Sequence, residues 1–289
     1  MNICVIGGDK RMATVAEKAA ADGCRVISVG LDNHPFSTAC LLTNNLSVAI
    51  ASSDIIILPL PVTRDKVNLF APLSRFDISI DEVLEADFEN KTVLGGLVSD
   101  DLKRCITEKG GNFYDYFLRE ELCILNSVST IEGAIEIAMR ETDITVWGSR
   151  VLVVGYGRLG KVAAEKFSAL GASVSVSARR ESDLAWIKVN GYRPLKTHEL
   201  FEHIAGFDII INTVPFLVID ENEIKNANRD SVIIDLASIP GGVNFEAARK
   251  EKIKAIHALS LPGKVAPKSA GLALYDTIMN ILFETKKPT

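Results

Sequence analysis

Two doubly wound, Rossmann-like α/β domains with parallel sheets are the fold class this sequence predicts, and three observations predict it. Short apolar runs of strand length alternate with helical patterns in both halves of the chain, which gives parallel sheets covered by helices on each face. The apolar strand 151–154 runs into Gly155-Tyr156-Gly157-Arg158-Leu159-Gly160 and then into a helical pattern carrying Val162, Ala163, Phe167 and Leu170 on one face. At 289 residues the chain is long enough for two domains, each with its own core.

The first half opens with a strand at 2–6, the turn Gly7-Gly8-Asp9, a helix near 11–21 and a strand at 25–29. Strands at 55–60, 92–94 and 112–116 continue it, with a helix at 99–109 that Ser99 can cap. Ser129-Thr130-Ile131-Glu132 has the form of a capping box ahead of Ala134, Ile135, Ala138 and Met139, so a connector helix is expected to begin there. The second half supplies strands at 151–154, 173–177, 208–212, 231–235 and 254–257, separated by helical segments. Residues 261–271, with Pro262, Gly263, Pro267 and Gly271, read as a loop of fixed shape. A final apolar helix through Leu272, Tyr275, Ile278, Met279 and Leu282 is able to pack back on the first domain. The expected division is an N-terminal domain 1–128 on the substrate side, a connector 129–148, and a nucleotide-binding domain with the C-terminal helix, 149–289.

Composition narrows the function classes. A chain that is 47% hydrophobic and 24% charged has the balance of a soluble globular enzyme. Its net charge of -5 argues against nucleic acid or an anionic membrane as the main partner, because both demand basic patches. The apolar runs at 54–61 and 207–211 are strand-sized and interrupted by Asp or Pro, so no membrane span is expected. No basic n-region precedes the first strand, and the five cysteines form no C-x-x-C pair, as in a reduced, cytoplasmic protein. The four histidines show no metal-binding spacing, and no metal is expected.

The glycine turn carries the chemistry. Gly155 permits the tight turn, Gly157 lets backbone approach a pyrophosphate, and Gly160 lets the helix pack on the strand. An anion is then favoured at the helix N-terminus by unpaired N–H groups and the helix dipole. About twenty residues on, an NAD site ordinarily ends its second strand with an acid for the ribose 2′-hydroxyl. Here that strand ends Ser177-Ala178-Arg179-Arg180, a hydroxyl and two guanidiniums that suit a 2′-phosphate, so NADP is the expected cofactor. Two solvated arginines are the plainer alternative.

Ligands of doubly wound sheets bind outside the carboxyl ends of the strands. Asn212-Thr213-Val214-Pro215 is therefore expected beside the nicotinamide-side ribose, as are Asp235, Ala237 and Ser238 ahead of the Pro240-Gly241-Gly242 bend. A turn that caps the next helix explains the first segment equally well, and Asp235 serves equally as a cap. Lys264 and Lys268 bring positive charge to a helix start and are expected to hold an acidic substrate, unless they are simply solvated. From the first domain Arg11, Arg64 and Asn126 are candidates to face the same substrate.

At Gly155 to Arg180, at Asp235-Leu-Ala-Ser-Ile-Pro-Gly-Gly242 and at Leu261-Pro-Gly-Lys-Val-Ala-Pro-Lys-Ser-Ala-Gly271, the chain resembles the dipicolinate synthase A subunit family. The likeness runs over nearly the whole length, including Gly7-Gly8-Asp9-Lys10-Arg11, Asn126 to Ala134, and Trp147 to Gly155. It implies a two-domain NADP-binding oxidoreductase of spore-forming bacteria. Such a protein acts with a flavoprotein-like B subunit to make pyridine-2,6-dicarboxylate from a lysine-pathway intermediate, and a homo-oligomer is expected. The implied reaction is aromatisation of a dihydropyridine dicarboxylate by hydride transfer and proton loss. The resemblance carries over the cofactor and loop segments but no catalytic residue. On strand-end position and charge, Asp235 and Glu132 are the candidate proton acceptors, and Lys264, Lys268, Arg64 and Arg11 the candidate carboxylate clamps. Two alternatives stand beside this reading. Pro61-Val-Thr63-Arg-Asp-Lys66 faintly resembles the substrate loop of shikimate dehydrogenases, without their Asn and lysine spacing. A non-catalytic NADP-sensing module is the other.

Overall fold

In the computed structural model, which describes residues 1–285, the chain forms two compact units. One is Met1–Asn126 with the chain from Ala266 onward, and the other is Ser127–Val265. The elements up to the crossing are β1 (Asn2–Ile6), α1 (Lys10–Ala21), β2 (Arg25–Val29), β3 (Cys40–Leu42), α2 (Leu46–Ala51), β4 (Ile55–Ile57), α3 (Ile80–Glu85), β5 (Thr92–Gly95), α4 (Asp100–Glu108), β6 (Asn112–Asp115) and α5 (Glu120–Glu141). There follow β7 (Arg150–Val154), α6 (Arg158–Ala169), β8 (Ser173–Ala178), α7 (Glu181–Val189), β9 (Arg193–Lys196), α8 (Leu200–His203), β10 (Ile209–Asn212), α9 (Glu221–Asn226), β11 (Val232–Asp235), α10 (Phe245–Glu251), β12 (Lys254–His257), α11 (Leu261–Val265) and α12 (Pro267–Thr285).

Each unit holds a six-stranded parallel sheet. The orders are β3-β2-β1-β4-β5-β6 and β12-β11-β10-β7-β8-β9, the same doubly wound arrangement twice. Central strands such as β1 and β7 are buried because helices cover both faces. The alternation of apolar runs misses β3 and β9, both at sheet edges. β3 is an apolar run of only three residues whose Leu41 and Leu42 are exposed, and β9 carries Pro194, so neither reads as a long buried strand.

The first unit fills its own glycine turn. Gly7 N donates to Val29 O at 2.8 Å and Gly8 N to Phe70 O at 2.7 Å. A Cβ placed on Gly7 would lie 2.2 Å from Leu69 Cδ2. The Asp9 side chain caps α1 by accepting from Arg11 N. The space that a phosphate takes in a nucleotide-binding turn is thus held by the 69–71 segment.

Two helical expectations need correction. The capping box predicts a start at 129, but α5 begins at Glu120, where Glu120 and Glu121 place acidic charge in the first turn. Ser129 and Glu132 lie inside the helix. By length and composition α5 could cross a membrane, a property the apolar runs conceal because Glu132 and Glu136 interrupt it. Its Ile131, Ala134, Ile137 and Ala138 are core residues of the second unit. The fixed loop expected at 261–271 is mostly helical: α11 takes Leu261–Val265, and Pro267 begins α12, a position where its missing N–H costs nothing.

The helix α12 belongs to the first unit. Its Leu274, Tyr275, Ile278, Ile281 and Leu282 join Met12, Val15, Ala16 and Ala19 of α1 in one core. A Cβ on Gly271 would come within 2.6 Å of Thr14 Cβ, so this glycine sets the closeness of the two helices. Tyr275 Oη donates to Asp22 Oδ2 at 2.8 Å, which holds the phenol proton on and raises the Tyr275 pKa, with burial the larger cause.

Candidate nucleotide-binding site

In the second unit a cavity of about 630 Å³ opens at the carboxyl ends of β7, β8, β10 and β11, a volume within the range of small-ligand sites. Its floor is Gly155, Tyr156, Gly157, Arg158 and Leu159. Gly155 has φ +96, and a Cβ there would meet Thr213 Oγ1 at 2.6 Å. A Cβ on Gly160 would fall 2.1 Å from Gly155 O, so only glycine lets α6 approach β7 this closely. Around Gly157 the result is opposite: a Cβ would find no protein atom within 4 Å. Gly157 is also the N-cap of α6, and no side chain caps that end. Open space before uncapped helix N–H groups is the geometry that accepts a phosphate.

The far wall is a hydrogen-bonded clasp. Asn212 Nδ2 donates to Asp235 Oδ1 at 2.7 Å and to Val214 O at 3.0 Å, while Val214 N donates to Asn212 Oδ1 at 3.1 Å. The other donors to Asp235 are backbone, Ala237 N to Oδ1 at 3.0 Å and Gly242 N to Oδ2 at 2.8 Å. His257 Nε2 donates to Ala237 O at 2.9 Å, and its ring stacks on Phe245. Thr213 Oγ1 donates to Val154 O at 2.8 Å. The loops after β10 and β11 are thereby fixed to each other, and they present Thr213, Val214, Pro215, Ala237 and Ser238 to the cavity.

This clasp corrects one expectation. Asp235 and Asn212 are fully buried and do not line the cavity. A carboxylate that accepts three protein donors and meets no solvent is a brace; Asp235 is not placed to take a proton from a ligand. Ser177 and Gly160 are likewise buried behind the wall. Ser177 Oγ has no hydrogen-bond partner among the described residues, and its backbone O accepts from Gly155 N at 3.0 Å. The cavity wall at that end begins one residue later, at Ala178.

Arg179 and Arg180 do line the cavity. The strand end that the sequence marks, up to Arg180, holds no acid, yet Asp183, in the first turn of α7, lines the same end. The i, i+3 spacing from Arg180 is the signal that could have found it. Thr197, Phe216, Val218 and Leu236 also line the cavity; Leu236 lies between predicted residues, and the other three follow β9 and Pro215 with no motif to mark them.

The remaining candidates divide between the units. Lys264 lies on α11 and Glu132 on α5 in the second unit, both exposed. Lys268 is exposed in the first turn of α12, in the first unit. There Arg11 pairs with Asp9 through Nε and Nη2, and Nη2 also donates to Leu60 O at 2.6 Å. Arg64 is exposed with its guanidinium 4.0 Å over the Phe70 ring. Asn126 is half-buried in α5. None of these six lines the cavity.

Two family models and several relatives match the chain. Residues 2–117 match the N-terminal domain of the dipicolinate synthase A subunit, and residues 134–287 match the alanine dehydrogenase/PNT C-terminal domain. The dipicolinate synthase A subunit of Bacillus subtilis (strain 168) is 35% identical over 291 residues, covering 98% of this chain and 96% of the relative. The crystal structure of the dipicolinate synthase A subunit from Bacillus halodurans matches with a TM-score of 0.90 at 32% identity, over 99% of this chain and 98% of that one. A transhydrogenase from Sinorhizobium meliloti shares the fold, with a TM-score of 0.73 at 16% identity over 98% of this chain and 94% of that one.

Proposed function

The chain belongs to the dipicolinate synthase A subunit family, and from that premise we propose that it is an NADP-dependent oxidoreductase component forming pyridine-2,6-dicarboxylate from a dihydropyridine dicarboxylate. The observation that carries the reading is the floor of the cavity. Gly157 leaves room that no protein atom fills, directly before the uncapped end of α6, and this fits the diphosphate of a nicotinamide dinucleotide. At the other end Arg179, which has no ion-pair partner among the described residues, fits a 2′-phosphate.

When bound, the nicotinamide supplies the one chemistry that side chains lack, acceptance of a hydride. The protein's own work is positioning and charge. The amides at 157–159 hold the diphosphate, and the clasped loops hold Thr213 and Ser238 against the sugar on the nicotinamide side. The substrate loses a hydride from one ring carbon and a proton from a neighbouring position, and the product is aromatic. The candidate anchors for its two carboxylates are Arg11, Arg64, Asn126, Lys264 and Lys268, cations apart from the one amide. With Asp235 engaged as a brace, Glu132 is the candidate proton acceptor.

By the same reading the chain acts in the cytoplasm of a sporulating cell, as a homo-oligomer, with a flavoprotein-like B subunit. Similarity along the full length favours this over the shikimate-dehydrogenase alternative. The test follows NADPH absorbance and the pyridine product together, using the purified chain with and without the flavoprotein-like partner. Stoichiometric appearance of both supports the proposal. Tight NADP binding with no turnover of any dihydropyridine dicarboxylate, even with the partner present, would leave a nucleotide-sensing module instead.

A further inference from the structure

Two cations, Arg179 and Arg180, line one end of the cavity, and a third, Lys196, stands beside them. Ala178 of β8 pairs in register with Lys196 of β9, so Arg179, Arg180 and Lys196 stand at one edge of the sheet. Two of them are engaged. Lys196 Nζ lies 3.2 Å from Glu181 Oε1. Arg180 makes a two-bond pair with Asp183, Nε to Oδ2 at 2.8 Å and Nη2 to Oδ1 at 2.9 Å. Asp183 is the sheltered member of that pair, its side chain 19% exposed against 77% for Arg180, and it lines the cavity.

We propose that Asp183 is the specificity-determining residue for the adenosine ribose. Its carboxylate holds Arg180 and puts a negative charge on the cavity wall, so Arg179 alone favours a 2′-phosphate and the unphosphorylated dinucleotide remains a competitor. This rests on the dinucleotide reading of the cavity. The physical case is a balance of charges. A 2′-phosphate brings negative charge that the Asp183 carboxylate repels, whereas free ribose hydroxyls can donate to it. The Arg180 fork, once released, can pair two-bonded with phosphate as it now does with carboxylate. Because Arg180 is exposed and screened, exchanging its partner is not costly.

The experiment titrates the full chain with NADPH and with NADH, reading nicotinamide fluorescence, for the wild type, Asp183→Asn, Arg180→Gln and the double variant, with thermal unfolding as the check on folding. Asp183→Asn is expected to raise the preference for NADPH by about tenfold or more, with NADH bound more weakly. Arg180→Gln uncovers the carboxylate and is expected to lower the preference, and the double variant loses the gain. A wild type that binds both nucleotides while Asp183→Asn leaves their ratio unchanged would overturn this proposal alone. A gain that persists without Arg180 would overturn it too. A wild type that binds neither dinucleotide would overturn the cavity reading and this proposal with it.

Discussion

Single residues in the glycine turn have separable duties, and two substitutions distinguish them. Gly160→Ala drives a Cβ into Gly155 O, so it is expected to destabilise the second unit by about 1–3 kcal/mol as well as to weaken nucleotide binding. Gly157→Ala meets open space on the protein side, so denaturant unfolding should show a change below about 1 kcal/mol. NADPH affinity is nonetheless expected to fall by about tenfold or more, because the methyl group occupies the phosphate's room. A second residue-scale prediction concerns acid. Asp65 accepts from Asn68 N, Val67 N and the Thr63 hydroxyl, bonds that lower its carboxyl from 3.8 to about 2. The folded form is the one that favours the ionised group, so its contribution is complete above pH 3.8 and is lost as pH falls through about 2. Asp65→Asn should therefore flatten the decline in stability between those limits in an acid titration followed by circular dichroism. At this scale the sequence discloses residues that need a special backbone or a gap, such as Gly155 and Gly157, since their chemistry is visible in the residue type. It does not disclose that Asp235 faces inward to three donors, because that depends on how two loops meet.

Among the elements, α12 illustrates how far patterning reaches. Its apolar face and its tendency to pack on the first domain are readable from Tyr275, Ile278 and Leu282. The role of Gly271 is not readable, because a glycine among Pro267, Lys268 and Ser269 looks like a loop residue until the partner helix is known. Gly271→Leu should force α1 and α12 apart at Thr14 and destabilise the first unit by about 1–3 kcal/mol, measurable by chemical denaturation. Unfolding at the wild-type denaturant midpoint would show that the helix contact carries little. The true start of α5 is hidden for a related reason: the Ser-x-x-Glu signature is local, whereas the helix is prolonged by Leu122 and Ile131, which reach the cores of the two units. Edge strands β3 and β9 escape detection because β3 is only three residues long and β9 is half charged with Pro194 inside it.

For the whole molecule, the doubly wound order was legible in both halves because β1, β4, β7 and β10 are continuous apolar runs. The pattern could not show that the same architecture serves different ends in the two units. In the first, the Gly7-Gly8 turn is closed by Leu69 and by the hydrogen bond from Gly8 N to Phe70 O; in the second, the corresponding room is open. Calorimetric titration should accordingly saturate at one equivalent of dinucleotide per polypeptide, and a second equivalent would mean that the 69–71 segment gives way. One architecture thus carries an open glycine turn in the second unit and, in the first, a turn stoppered by the side chains of Leu69 and Ala71 and the carbonyl of Phe70.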